Sequence, residues 1–175
     1  LKLIQYAYAP IDWLDIYELR YPGRILSSIF DTISVIFVFL ISRYIFDNKV
    51  AILSAFLTSI SVIHIQLSHF YAVDTFSTAF VLGTLYYAIK VGYEGGRKNS
   101  LFTGVMFGFA LTTKFSVIPL VVPAVLAHII FQLSDNKYDR LRIILDKKEF
   151  LLIIKNLIYF SFSTFLILLI FQPYM

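Results

Sequence analysis

Cysteine is absent from the 175 residues of the chain, so the sequence can form neither disulfide bonds nor thiolate metal sites. Charge is scarce as well: 15% of the residues are Asp, Glu, Lys or Arg, where a soluble domain carries roughly 25%. Hydrophobic residues make up 59% of the chain and aromatic residues 18%. These proportions exclude a soluble globular domain and indicate an integral membrane protein. The net charge of +4 is modest, and we expect no nucleic-acid partner.

The start of the chain predicts a fragment with an interfacial segment. The sequence begins at Leu1 and has no charged stretch followed by a cleavable apolar run, so we expect it to be part of a longer protein. Residues 1–23 mix aromatic side chains with charges and prolines, which is typical of a segment lying along the membrane surface. Asp12, Asp15 and Glu18 recur every third residue there and would form the solvated face of an interfacial helix.

Six apolar runs follow, and we predict that each forms a transmembrane helix, since about 20 helical residues cross the hydrocarbon core. The predicted spans are residues 24–46, 50–70, 74–93, 100–113, 116–132 and 150–171. The predicted fold is therefore all-α: a polytopic membrane helical bundle over residues 24–175, preceded by the interfacial segment.

Two local signals refine this bundle. Gly104 and Gly108 have the small-xxx-small spacing that lets two helices approach closely. Pro119 and Pro123 predict a break or kink after Lys114, because the residue before a proline is biased away from helix. The loop over residues 94–99 is predicted to be flexible and basic.

The distribution of basic residues predicts the orientation of the bundle. With alternating spans, eleven of the fifteen Lys and Arg residues lie on the side of Asp47, Arg97 and the long loop at 134–149. The positive-inside rule assigns this side to the cytoplasm. Five ionisable residues then lie toward the non-cytoplasmic face: Arg24, Asp31, His69, Asp74 and Lys114.

This cluster is the candidate functional site, centred on residues 68–75 (SHFYAVDT), where one apolar run ends and the next begins. Ionisable residues at such a rim are functional candidates. Carboxylates beside cations at a lipid interface suit chemistry on a lipid phosphate, in which Lys and Arg hold the leaving group and a carboxylate takes a proton or binds a divalent metal.

Structural alternatives stay open for each of these residues. Asp74 could cap the helix that follows it. Lys114 and Arg24 could extend to the lipid headgroups, and His69 could be an interfacial histidine with satisfied hydrogen bonds. His64 and His128 have no evident partner in the sequence, and we assign them no role.

Three segments resemble one family in the same order. Residues 23–32 (GRILSSIFDT), 68–75 (SHFYAVDT) and 108–116 (GFALTTKFS) are similar to the core of the polyprenyl-phosphate-sugar-dependent membrane glycosyltransferases. This is the GT-C superfamily, in the branch of protein O-mannosyltransferases and lipid A aminoarabinose transferases. The similarity covers nearly the whole chain.

The resemblance implies an enzyme that takes a sugar from a polyprenyl-phosphate donor and passes it to a lipid, protein or glycan acceptor at the non-cytoplasmic face. It implies that Asp74 is catalytic and can also ligate a divalent metal (Mg, Mn or Zn). It further implies that Lys114, Arg24 and His69 bind the donor phosphate. The principal acid of such enzymes lies in an earlier external loop, so we expect the fragment alone to be inactive. The enzyme would be a multi-pass integral membrane protein in contact with membrane lipids, in the plasma membrane of a prokaryote or the endoplasmic reticulum of a eukaryote.

A transporter or flippase-like subunit is the alternative function, with Asp31, Asp74 and Lys114 lining a translocation path. That function predicts charges spread through the membrane depth and inverted repeats, and the sequence has neither clearly. A structural membrane anchor is a third interpretation, favoured if Asp74 faces lipid.

Overall fold

A computed structural model of the chain describes residues 20–135 and 147–172, and all regular structure in these residues is helical. The helices are α1 (Arg20–Ile45), α2 (Asn48–Ser59), α3 (Val62–Ser68), α4 (Val73–Glu94), α5 (Arg97–Thr113), α6 (Val121–Asp135) and α7 (Lys147–Phe171), with a 3-10 helix at Phe115–Leu120. The all-α prediction is confirmed. Asp12, Asp15, Glu18 and residues 136–146 of the predicted long loop lie outside the described residues.

Helices α4 and α5 form an antiparallel hairpin at the centre of the bundle. Gly95 and Gly96 make the turn with φ angles of 63° and 92°, a region that favours glycine. A Cβ atom at Gly95 would also lie 2.4 Å from the Phe131 ring. The prediction of a flexible loop over residues 94–99 is wrong. The turn is tight: α4 ends at Glu94 and α5 begins at Arg97, which leaves Gly95 and Gly96 between them.

Aromatic stacking shows the register of this hairpin. The Tyr87 and Phe102 rings stack with centroids 5.1 Å apart, and the Phe80 and Phe109 rings stack at 5.0 Å. From the first pair to the second, each helix advances by seven residues (87 to 80, and 102 to 109). The two helices therefore run in step from the turn to the opposite end.

A sharp bend separates helices α2 and α3. Asp47 caps α2 by accepting a hydrogen bond from the Val50 amide at 2.8 Å. Helices α2 and α3 then meet at an angle of 57° across Ile60 and Ser61. The predicted continuous span at 50–70 is thus two helices, a broken span or a re-entrant segment.

Close packing of α5 against α7 follows the predicted glycine spacing. A Cβ atom at Gly104 would lie 2.0 Å from Ser163 Oγ, and one at Gly108 would lie 2.8 Å from Ile167 Cβ. Thr164 Oγ1 donates a hydrogen bond to the Gly104 carbonyl at 3.1 Å. The missing side chains let the two backbones approach, as in other membrane helix pairs.

The break after α5 is also as predicted. Lys114 has extended backbone angles (φ −157°, ψ 120°), and the following 3-10 helix contains Pro119. The chain re-enters α-helix at Val121, and Ala124 then packs with Phe107, Leu111 and Phe160 in the largest apolar core of the described chain.

Length and composition support fewer membrane crossings than the six predicted. Within residues 20–135 and 147–172, α1 (Tyr21–Ile45) and α7 (Phe150–Phe171) are long and apolar enough to span, and α2 with α3 would make a third if they form one span. Helices α4 and α5 bury polar residues against their neighbours, among them Thr84, Ser100 and Thr103, which lowers their hydropathy. Six crossings stay a prediction. Helix α1 begins at Arg20, four residues before the predicted boundary at 24.

Substitution of Gly104 by Ala should destabilise the α5–α7 contact. The new methyl group would overlap Ser163 Oγ and the Phe160 carbonyl oxygen, 2.0 and 2.3 Å away, and overpacking of this kind costs about 1–3 kcal/mol. We expect a lower thermal midpoint for the protein in detergent. Gly92→Ala is the matched control, because the nearest atoms to its Cβ are 3.8 Å away. Equal midpoints for the two variants would contradict the close contact.

Candidate functional site

The three segments singled out in the sequence meet at one end of the bundle. Thr75 Oγ1 and Ser27 Oγ lie 3.4 Å apart, and Ser28 Oγ lies 3.3 Å from the Ser68 carbonyl oxygen. Gly23 lies so close to the turn before α4 that a Cβ atom there would be 2.9 Å from the Tyr71 ring. Residues 23–32 and 68–75 are therefore in direct contact, and α5 brings the third segment to α4.

Asp74 and Lys114 form an ion pair where these segments meet. Lys114 Nζ donates to Asp74 Oδ1 at 2.7 Å, across 40 residues of sequence. The two side chains are 54% and 52% exposed, respectively. The structure thus brings together the predicted catalytic carboxylate and the predicted phosphate-binding lysine.

The hairpin register delivers both residues to this position. Going away from the glycine turn, Asp74 lies six residues beyond Phe80, and Lys114 lies five residues beyond Phe109. Asp74 is in the first turn of α4 and Lys114 directly follows the last turn of α5. Each charge therefore lies at the helix end whose dipole favours it.

Helix capping does not account for Asp74. The N-cap residue of α4 is Ala72, and no side chain caps it. Thr75 Oγ1 donates a hydrogen bond to the Ala72 carbonyl at 2.8 Å. The Asp74 carboxylate instead bonds Lys114, so Asp74 does not cap α4. Its favourable interaction with the dipole of α4 remains.

An exposed ion pair of this kind contributes at most about 1 kcal/mol to stability. Aromatic packing beneath it is more extensive: Phe30 contacts Phe76 and Phe80 with ring centroids 4.7 and 5.4 Å away, and Phe80 stacks on Phe109. These rings hold α1, α4 and α5 together without the ion pair. Asp74 and Lys114 can therefore exchange partners without loss of the fold.

Arg24 and His69 lie at the same end of the bundle but outside this pair. Arg24 lines a shallow surface hollow with Ser28 and Thr32 on α1, and it forms no salt bridge within the described residues. His69 is exposed, and its Nδ1 bonds the Ile65 carbonyl at 2.7 Å. That bond matches the interpretation of a satisfied interfacial histidine.

Asp31 has a partner that the sequence analysis missed. His64 Nδ1 lies 2.5 Å from Asp31 Oδ1, and the two side chains are partly buried, with 24% and 19% exposure, respectively. Depth in the helices was the available signal. Asp31 is seven residues from Arg24, and His64 is five from His69. At 1.5 Å per residue, Asp31 and His64 therefore lie at similar distances, about 10 and 8 Å, from the end of the bundle marked by Arg24 and His69.

His128 forms no hydrogen bond to the residues of this site among those that the structure describes. Its Nδ1 bonds the Ala124 carbonyl at 2.8 Å, and its Nε2 bonds Ser100 Oγ at 3.0 Å. Both ring nitrogens are satisfied inside the bundle, in agreement with the absence of an assigned role.

The donor set at Asp74 does not suit a divalent metal without further ligands. Hard divalent cations take about six oxygen ligands, several of them carboxylates. Asp74 supplies one carboxylate, and its Oδ1 is bonded to an ammonium group. Across the part of the chain that the structure describes, no three His, Cys, Asp or Glu residues are grouped in a metal-binding arrangement.

Comparison with known proteins agrees with the resemblance of the three segments. A family model described as dolichyl-phosphate-mannose-protein mannosyltransferase matches residues 18–168 and so covers most of the chain. No curated protein and no solved structure matches the chain. The matched range contains all three segments and both residues of the ion pair. The chain therefore belongs to the dolichyl-phosphate-mannose-protein mannosyltransferase family, and the expected membership in the GT-C membrane glycosyltransferases is confirmed.

Proposed function

We propose that the chain is part of a multi-pass membrane enzyme that transfers a sugar from a polyprenyl-phosphate donor to an acceptor, for which the family favours a protein, at the non-cytoplasmic face. The observation that carries this proposal is the Asp74–Lys114 ion pair at the meeting point of the three family segments. Family membership supports glycosyl transfer in general. The transporter alternative has no such support.

Lys114 is the donor-phosphate ligand in this proposal. Ammonium groups form charge-assisted hydrogen bonds to phosphate oxygens, and Lys114 is half-exposed at a helix end where a headgroup can reach it. When the donor phosphate binds, Lys114 exchanges the Asp74 carboxylate for a phosphate oxygen. Arg24, at the same end of the bundle, adds further donors toward the same headgroup. His69 can reach the headgroup through Nε2, because its Nδ1 bonds the Ile65 carbonyl.

Asp74 is the proton acceptor once this exchange frees its carboxylate. The acceptor hydroxyl oxygen attacks the anomeric carbon of the donor sugar while the bond from that carbon to the phosphate oxygen breaks. The hydroxyl proton passes to Asp74, and the leaving phosphate keeps the electron pair, stabilised by Lys114. Direct displacement of this kind inverts the anomeric configuration. A divalent metal at Asp74 stays an expectation of the resemblance and would need ligands beyond the described residues.

Asp74→Asn in the full-length enzyme should lower sugar transfer by about 10²- to 10⁴-fold, the usual contribution of a general base. The amide keeps the shape of the side chain but cannot accept the proton. Because the ion pair adds little stability, the variant should still insert in the membrane at normal levels. Transfer is measured with a polyprenyl-phosphate sugar and acceptor in isolated membranes.

Asp47→Asn is the matched control for that variant. Asp47 is also an exposed acid at a helix start, but it caps α2, and asparagine caps as well as aspartate. We expect its transfer rate to be unchanged. Undiminished turnover in Asp74→Asn would remove Asp74 from the reaction.

Residues 74 and 114 should be accessible from the same, non-cytoplasmic side of the membrane. Single cysteines at each position, in a background without other cysteines, are labelled with a membrane-impermeant maleimide added to that side. A cysteine at Lys98 is the control, since this exposed residue lies near the glycine turn at the opposite end of the hairpin. Labelling of 74 and 114 from opposite sides would refute the shared site.

A further inference from the structure

Helix α3 is poorly anchored by apolar contacts. It is seven residues long, and none of its residues is buried. Three of its apolar side chains, Val62, Ile63 and Ile65, are exposed. Inside a bilayer such side chains give no hydrophobic reason to pack on a neighbouring helix, because the lipid tails are equally apolar. Packing of small residues and polar bonds between helices must hold α3 in place.

Polar bonds to α1 are what the described structure provides for α3. The first joins His64 Nδ1 and Asp31 Oδ1 at 2.5 Å. The second is weaker, because the one hydroxyl proton of Ser28 is shared between the Ser68 carbonyl at 3.3 Å and the Arg24 carbonyl of its own helix at 3.0 Å. The hydrogen bond between His64 and Asp31 needs one shared proton, since a ring nitrogen and a carboxyl oxygen can each donate or accept. This bond is the less exposed of the two.

The end of α3 leads directly to the ion pair of the candidate site. Ser68 is the last residue of α3, and five residues further on Val73 begins α4, with Asp74 next. In the connecting turn, the Ala72 amide bonds the Phe70 carbonyl at 2.9 Å, and Tyr71 packs on Phe76 with ring centroids 5.8 Å apart. A displacement of α3 would therefore be passed to the first turn of α4.

We propose that Asp31 and His64 are a positioning pair: their bond holds α3 against α1 and thereby fixes the turn that sets Asp74 beside Lys114. The role in transfer rests on the proposed function, whereas the role in holding α3 does not. Neither side chain needs to touch substrate. The pair acts through the short helix between the bend at Ile60 and the turn before α4.

Docking of α3 can be measured without activity. In full-length protein with Ser28→Cys and Ser68→Cys, and no other cysteine, the rate of cross-linking by a short bis-maleimide in membranes reports how often α3 lies against α1. We expect Asp31→Asn and His64→Gln to slow this cross-linking by about 3- to 20-fold, the range that interhelical hydrogen bonds in membranes support. Gln66→Ala is the control on the same helix, because its side chain has no hydrogen-bond partner among the described residues.

The exchanged variant Asp31→His with His64→Asp separates a specific bond from general damage. It places the histidine on α1 and the carboxylate on α3, so the two side chains can bond again. Because the effects of substitutions at two residues in contact do not simply add, the cross-linking rate should return to within about twofold of the parent. An unchanged cross-linking rate in His64→Gln, or no recovery in the exchanged variant, would overturn the proposal.

Transfer kinetics test the second half of the proposal. In otherwise native full-length enzyme, Asp31→Asn and His64→Gln should lower kcat with little change in the KM for donor, and the exchanged variant should recover both cross-linking and kcat. Reduced cross-linking with normal kcat would overturn the link to Asp74. If the parent enzyme transfers no sugar, the proposed function fails, while cross-linking still decides whether the pair holds α3.

Discussion

The two-residue turn at Gly95 and Gly96 is the constraint on which the candidate site depends. Both positions have positive φ angles that favour glycine, and Gly95 also has no room for a side chain beside Phe131, so α4 and α5 leave the turn in one register. Stacked rings at two levels maintain that register along the hairpin. The oppositely charged residues at the far ends, Asp74 and Lys114, meet because of it.

Stability and reactivity are divided between different residues in this bundle. Small residues and aromatic rings hold the helices together: Gly104 and Gly108 admit α7, and Phe30 packs on α4. The ion pair is exposed and adds little. Either charged side chain can therefore change its partner while the surrounding helices stay in place.

Local sequence signals predicted the helices, the glycine contact and the break after Lys114, because each depends on residues close in the chain. The span layout and the positive-inside rule predicted that Arg24, Asp31, His69, Asp74 and Lys114 lie toward one face, and the family resemblance gave their expected roles. The Asp31–His64 pair was missed because its geometry depends on the 57° bend between α2 and α3, which sets where His64 points. The tight turn at 95–96 was mistaken for a flexible loop because glycine and charge are common to both.

The glycine turn has a consequence for how length can vary among related chains. Helix α4 separates Gly95 from Asp74 by about 30 Å, at 1.5 Å per residue. One residue added within the first turns of α5 would rotate the rest of that helix by about 100° relative to α4 and move Lys114 away from Asp74. An insertion or deletion at one end of the hairpin would thus break the ion pair at the other end, so relatives that keep the ion pair should keep this end of the hairpin at constant length.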